Sequence, residues 1–363
     1  MSAAGARLLI SGYYGFDNFG DDAILQIFVD EWRRRRSYDI IRVLSALPEQ
    51  TAKLGVEGVP RTSVSRIAEL LRHTDVFVSG GGGLLQSSTS LRSLLYYAGL
   101  IHEAKGSGAR AVIFGQGIGP LSFTGKHIVR RSCANVDLAI VRDHASATLL
   151  EQLLPRVDIR VGADPVFLAP DTVPEDVERA LASEGIMGSS DLVAVVVRPS
   201  RVLDKIAGDI ARVVDVLASR CGAHVIFVPF QRAADVEAAV SIIRRCRTAP
   251  VLMGGGYNLA MMTALFKRCT AVVGMRLHAL ILAARLGVPF LAVPYDPKII
   301  ALSESLRYPL APLQHGMADE LTESLWTQRT ALSARVRDAA QSQAAAASQA
   351  FDWLQELVEG AVS

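Results

Sequence analysis

Cysteine is scarce and scattered: the four thiols, Cys133, Cys221, Cys246 and Cys269, form no Cys-x-x-Cys pair. Neither a zinc site nor a disulfide framework is expected from such spacing, and the thiols read as ordinary buried groups. Aromatic residues make up only 6% of the chain, which argues against an extended sugar-stacking surface. Neither sign of charge is in excess. The net charge of +2 is too balanced for a dedicated nucleic-acid binder. The longest apolar runs fall well short of a membrane span. The first residues carry one early Arg and a very short apolar segment that leads straight into a strand, so they do not read as a cleaved export signal. A cytoplasmic location is the expectation. Also missing are a Gly-x-Gly-x-x-Gly fingerprint and a Gly-Lys-Ser/Thr phosphate loop, so neither NAD nor ATP is indicated.

Core material, by contrast, is plentiful, with 50% hydrophobic and 20% charged residues. A chain of 363 residues exceeds the size at which one core usually keeps growing, so two domains are expected. Strand-like runs occur at Arg7 to Ser11, Ile40 to Leu44, Asp75 to Ser79, Ala111 to Gly115 and Leu138 to Val141, with helical patterns between them. A second series comprises Leu192 to Val197, Val225 to Val228, Ala271 to Val273 and Phe290 to Val293. Alternating strands and helices predict an α/β protein of two doubly wound, Rossmann-like domains. The expected boundaries are 1–170, 185–315 and a helical tail at 316–363, with a proline-broken hinge near 169–190. The tail carries Phe351, Trp353, Leu354 and Leu357 at helical spacing, as for a helix docking its aromatic end. The basic cluster Arg33 to Arg36 closes the first helix, where cations complement the macrodipole. A solvated helix end is the expected reading, and peripheral contact with an anionic membrane is the alternative.

In parallel α/β sheets ligands bind beyond the carboxyl ends of the strands. The polar and glycine motifs all follow strands. Ser11-Gly-Tyr-Tyr-Gly-Phe-Asp-Asn-Phe-Gly-Asp follows the first, making Asn18, Gly20 and Asp21 candidate substrate contacts; a glycine turn capped by Asp21 is the structural alternative. Four consecutive glycines follow the third strand, costly in chain entropy, and Gly81, Gly82 and Gly83 are candidates for close approach to a ligand. Gln116 and Arg142 end the fourth and fifth strands, although Arg142 could simply pair with Asp143. In the second domain Arg198 and Gln231 follow strands in the same way. The richest stretch is Gly274-Met-Arg-Leu-His-Ala through Lys298, a strand, helix and strand that bring Arg276, His278 and Lys298 to one edge. Two cations and an imidazole suit a small phosphate- or carboxylate-bearing substrate, with His278 able to transfer a proton. Helix capping by Arg276 and His278 is the structural alternative. With both sets at ligand edges, an enzyme with an interdomain cleft is the economical expectation.

Taken together, Gly-Tyr-Tyr-Gly-Phe-Asp-Asn-Phe-Gly-Asp, Ser-Gly-Gly-Gly-Gly-Leu-Leu-Gln, Gly-Gln-Gly-Ile-Gly-Pro, Val-Arg-Asp, Gly-Ala-Asp-Pro-Val-Phe-Leu and Gly-Met-Arg-Leu-His-Ala, followed by Lys298, resemble the polysaccharide pyruvyl transferase family, in particular its CsaB-like members. The resemblance implies a fold similar to GT-B glycosyltransferases. It also implies phosphoenolpyruvate as donor and co-substrate with no separate cofactor or metal, and a pyruvate ketal on a sugar as product. The implied acceptor is N-acetylmannosamine in a lipid-linked cell-wall precursor of the kind used to anchor surface layers, met at the inner face of the membrane. By position, His278 would be the general acid, while Arg142, Arg276 and Lys298 would hold donor phosphate and carboxylate. Two rivals share the architecture: a GT-B nucleotide-sugar glycosyltransferase, and a non-catalytic glycan-binding module. The sequence leaves oligomeric state open.

Overall fold

The computed structural model describes residues 5–88, 90–171, 179, 182 and 191–362. Apart from 169–171, 179 and 182, the expected hinge at 169–190 lies outside the described residues. The chain divides into two compact units, Met1–Pro165 with Gln343–Ser363, and Val166–Ser342.

The first unit is built on seven strands, β1 Arg7–Ser11, β2 Ile40–Ser45, β3 Glu57–Pro60, β4 Val76–Gly80, β5 Arg110–Gln116, β6 Leu138–Val141 and β7 Ile159–Val161. They are ordered β3-β2-β1-β4-β5-β6-β7, all parallel. Helices α1 Phe19–Arg35, α2 Pro48–Ala52, α3 Val64–Leu71, α4 Leu91–Gly106, α5 Phe123–Ser132 and α6 His144–Leu153 supply the crossovers. The central strands are buried on both faces, as in Val76–Gly80, where every residue is buried. That is why they read as continuous apolar runs and not as alternating ones.

The second unit holds β8 Leu192–Val196, β9 His224–Phe227, β10 Val251–Leu252, β11 Cys269–Gly274 and β12 Phe290–Ala292, ordered β10-β9-β8-β11-β12 and again parallel. Its helices are α7 Arg201–Ser219, α8 Arg232–Ile243, α9 Leu259–Arg268, α10 Leu277–Arg285, α11 Pro297–Ser305 and α12 Ala318–Thr327, followed by the long α13 Arg329–Val362. Strand order reverses between β1 and β4 in one sheet and between β8 and β11 in the other. Those reversals are the topological switch points where ligands of such sheets bind.

All nine expected strands are present, within a residue or two of their predicted ends. Sequence pattern missed the edge strands β3, β7 and β10, which are two to four residues long. Such segments bury too little to leave a periodic signal.

The helical tail expected at 316–363 is divided by its packing between the two units. Leu321, Leu325 and Leu332 lie in the core of the second unit, whereas Phe351 packs on Phe28 and Phe114 of the first, with ring centroids 5.4 and 4.8 Å away. Buried apolar area, not position along the chain, decides which unit each part of the tail joins.

The basic cluster is also corrected. Arg36 is only 4% exposed and is held by Asp39 through Nε (2.7 Å) and Nη2 (3.2 Å). Asp39 also accepts from the Trp32 indole (3.1 Å) and the Ala6 amide (2.8 Å). Arg35 bonds Glu31 and reaches the Ser348 hydroxyl on α13 at 3.0 Å. These two arginines fasten the end of α1 to the chain that follows it and to α13, so the solvated reading of the helix end does not hold for them. Arg34 alone keeps a largely exposed side chain (66%), paired with Glu31. Breaking a buried pair strands the remaining charge. Asp39→Ala should therefore lower the unfolding free energy by about 3–5 kcal/mol, and Arg34→Ala by less than about 1 kcal/mol, both read from urea denaturation. Equal effects would show that burial of the Arg36 pair does not matter.

Candidate functional site

The loop after β1 places Asn18 at the N-cap of α1, with Gly20 and Asp21 in the first turn. Asp21 is thus inside the helix and does not cap it. The Asn18 side-chain amide donates to the Asp21 carboxylate, and Asp21 in turn accepts from the backbone N–H of Gly82 at 3.3 Å. This ties the first strand's loop to the glycine run across the switch point. Gly81 has φ +112°, open to glycine and strained for other residues. A Cβ there would also lie 3.6 Å from the Tyr14 hydroxyl and 3.9 Å from Asp21. Gly83 is half-buried.

The glycine run is clasped by the next loop, because the N–H of Gly117 donates to the Gly82 carbonyl (2.9 Å). Gln116 is fully buried, and its amide donates to the carbonyl and hydroxyl of Ser79 at 2.7 and 2.9 Å. Its Oε1 has no partner among the described residues. Arg142 lies flat against Gly117, where a Cβ would come within 2.8 Å of its Nε and Nη2. Its firm partner is not Asp143, 3.9 Å away, but buried Asp164 at 2.8 Å. Asp143 instead caps α6 by accepting from the Ser146 amide at 2.7 Å. Asp164 belongs to the Gly-Ala-Asp-Pro segment already visible in the sequence, but nothing in its spacing named its partner.

In the second unit, Arg276 is the N-cap of α10 and is 8% exposed. Its Nε donates to Asp235 at 2.7 Å and its Nη2 to both Asp235 and Gln231, the latter at 3.2 Å. Asp235 is buried in α8 and also accepts from the amides of Phe230 and Gln231 at 2.9 Å each. The structure therefore brings the predicted Arg276 and Gln231 together around an aspartate that sequence reading missed. The signal available for it was an acid in the first turn of a helix that follows a rim strand. His278 sits half-buried in the first turn of α10, beside the switch point.

Arg198, just past β8, donates to the Tyr295 hydroxyl at 2.8 Å and lies 4.7 Å from the centroid of that ring. Its Nε is buried with no partner among the described residues. Lys298 is half-buried in the first turn of α11, beneath the Asp296 cap, which accepts from its amide at 3.0 Å. Arg198, Gln231, Arg276, His278 and Lys298 thus all follow the carboxyl ends of strands of one parallel sheet. Such an edge can pair a dianion with fixed cations while an imidazole is at hand for proton transfer.

Two sheets of this topology recur in solved structures that share little sequence with the chain. Anabaena HepE in complex with UDP-glucose aligns with a TM-score of 0.65 at 15% identity, over 96% of this chain and 99% of that one. The Neisseria meningitidis UDP-GlcNAc 2-epimerase bound to UDP-GlcNAc gives 0.64 at 10% identity, over 96% and 100%. A Rickettsia africae glycosyltransferase gives 0.63 at 10% identity, over 99% of both chains. No curated protein matches the chain. The fold is therefore GT-B-like, an architecture of paired parallel sheets. A sequence model of polysaccharide pyruvyl transferases matches residues 18–297, and the chain belongs to that family.

Beside the Asp21 bridge, burial pushes the Asp22 carboxyl up to about 6, with Asp21 and Asp17 adding repulsion and the Gly15 amide, 3.0 Å away, opposing it. With the folded-state value raised, the stability Asp22 contributes is full below its unfolded value and is lost as pH rises through about 6. Asp22→Asn removes this loss while keeping an acceptor for Gly15. Between about pH 4 and pH 7 the variant should gain about 1–3 kcal/mol relative to the wild type in urea unfolding. A pH-independent difference would show that the carboxyl titrates as in water.

Proposed function

We propose that the protein transfers the pyruvyl group of phosphoenolpyruvate to two hydroxyls of a sugar, forming a cyclic ketal and releasing phosphate. The acceptor in this reading is N-acetylmannosamine of a lipid-linked cell-wall polymer precursor, as in CsaB-like relatives. The observation that carries the reading is the gathering of Arg276 and His278 on one helix start, between the strand ends that present Arg198 and Lys298. Membership of the pyruvyl transferase family supports it.

In the proposed chemistry His278 protonates the methylene carbon of the enol, and positive charge develops at the neighbouring carbon. A sugar hydroxyl adds there and loses its proton. Phosphate then departs with the bonding pair, a second hydroxyl adds at the same carbon to close the ring, and the two hydroxyl protons pass to the phosphate and to the His278 imidazole. Fixed cations bind the donor carboxylate and phosphate and stabilise the departing phosphate. Arg276 spends Nε and Nη2 on Asp235 and Gln231, which leaves Nη1 for the donor and makes its position exact within the rim. Arg198 and Lys298 supply charge from the flanking strands. Phosphoenolpyruvate is a co-substrate, and the scheme calls for no further cofactor.

Calorimetry with phosphoenolpyruvate and with UDP-glucose separates this reading from the nucleotide-sugar transferase that shares its fold. Phosphoenolpyruvate should bind, and Lys298→Met should weaken it by about 10- to 100-fold, the loss of a charge-assisted contact. His278→Gln should retain donor affinity within about threefold yet lose phosphate release with an N-acetylmannosaminyl acceptor. Binding of UDP-glucose alone would sink the proposal, and near-wild-type turnover in His278→Gln would remove the role of the imidazole.

A further inference from the structure

A groove of about 1010 Å³ opens in the first unit between α3 and α4, within the range of ligand sites. Val64, Ile67, Leu71, Leu95, Gly99 and Leu100 give it apolar walls. Val64 and Leu95 are 77% and 51% exposed, unusual for large apolar residues beside a cavity. Gly99 falls inside α4, and a Cβ added there would meet nothing within 4 Å. Glycine weakens a helix interior, but here it keeps the groove wall open.

Arg61 lines the same groove, one residue beyond the carboxyl end of β3. Its guanidinium carbon lies 4.9, 4.5 and 5.6 Å from the ring centroids of Phe16, Tyr96 and Tyr97. Phe16 is itself stacked on Tyr13 at 4.1 Å, so the loop after β1 braces the clamp. Tyr96 donates to the Arg61 carbonyl at 2.8 Å, fixing the backbone as well. No carboxylate among the described residues pairs with this guanidinium. Aromatic rings surround the cation without neutralising it, so its charge and N–H donors suit a phosphate. Arg72 adds a second cation to the lining and Glu103 one carboxylate.

We infer that this groove binds an amphiphilic anion, its phosphate on the Arg61 clamp and its alkyl or prenyl-type chain along Val64, Leu95 and Gly99. The inference rests on the acceptor half of the proposed function and on none of its donor chemistry. It assigns the site for a lipid-phosphate carrier to the β3 side of the first sheet.

Calorimetry with decyl phosphate below its micelle concentration, decanol and inorganic phosphate tests the assignment on the full chain. Decyl phosphate should bind at least tenfold more tightly than either other probe. Arg61→Gln should weaken decyl phosphate at least tenfold. Gly99→Leu, which fills open space and favours the helix, should weaken decyl phosphate comparably while leaving inorganic phosphate within about threefold. Phosphoenolpyruvate affinity should stay unchanged in both variants, which separates this outcome from failure of the donor assignment. Decyl phosphate binding no tighter than inorganic phosphate, or equal binding by Gly99→Leu, would overturn the groove. Equal binding of decanol, or indifference to Arg61→Gln, would overturn the anion clamp.

Discussion

Parallel pairing is the constraint on which the rest of the molecule depends. Every strand pair described in both sheets is parallel. A parallel pair cannot be closed by a tight hairpin, so each strand must be followed by a crossover that returns the chain to its starting edge. All loops that leave strand ends therefore share one rim within their sheet. Residues as distant in sequence as Asp21 and Gly82, or Gln231 and Arg276, become hydrogen-bonded neighbours for that reason. The same crossovers cover both sheet faces with helices and force the strands to be apolar throughout, which yields a mean hydropathy of +0.28.

Within each rim, buried arginine and aspartate pairs hold the loops in register. Arg142 with Asp164 and Arg276 with Asp235 play corresponding parts in the two sheets. Neither pair is a cheap source of stability, since desolvating two charges cancels much of their attraction. What they supply is direction. Asp235 fixes the turn before α8 through two backbone amides and the guanidinium of Arg276 at the same time. Gly117 has no side chain because the Arg142 guanidinium occupies that space. A rim built this way presents its polar groups with little freedom left to lose on binding, the preorganisation that phosphoryl and carboxylate recognition favours.

The fold was legible in the sequence because buried parallel strands leave contiguous apolar runs and their loops leave glycines. Nine strands and the rim positions of Arg276, His278 and Lys298 followed from that pattern. Partners were not legible. Asp164 and Asp235 lie far along the chain from the arginines they hold or within a helix, and an acid in such a place resembles any solvated surface acid. The cluster Arg33 to Arg36 misled for the complementary reason: the run of charge is visible, whereas its burial against Asp39 and its reach to Asp352 and Glu359 on α13 are set by the fold. Arg61 escaped notice because β3 contains a glycine and a proline in four residues and carries no strand signal.

The arginines of this protein divide by what holds them, and the division bears on function more directly than burial does. An arginine held by a carboxylate has part of its N–H edge occupied and its charge offset; Arg36, Arg142 and Arg276 are of this kind. An arginine held by aromatic faces is oriented without being neutralised. Arg198 on Tyr295 and Arg61 among Phe16, Tyr96 and Tyr97 are of that second kind, each just past the end of a strand. A ring restrains the flat face of the guanidinium while the N–H groups at its edge remain able to form paired hydrogen bonds. Arg198 and Arg61 also belong to different sheets, Arg198 beside the rim of the second and Arg61 beside the apolar groove of the first. Among the described residues no carboxylate pairs with either guanidinium, so each is oriented by packing while its charge is retained.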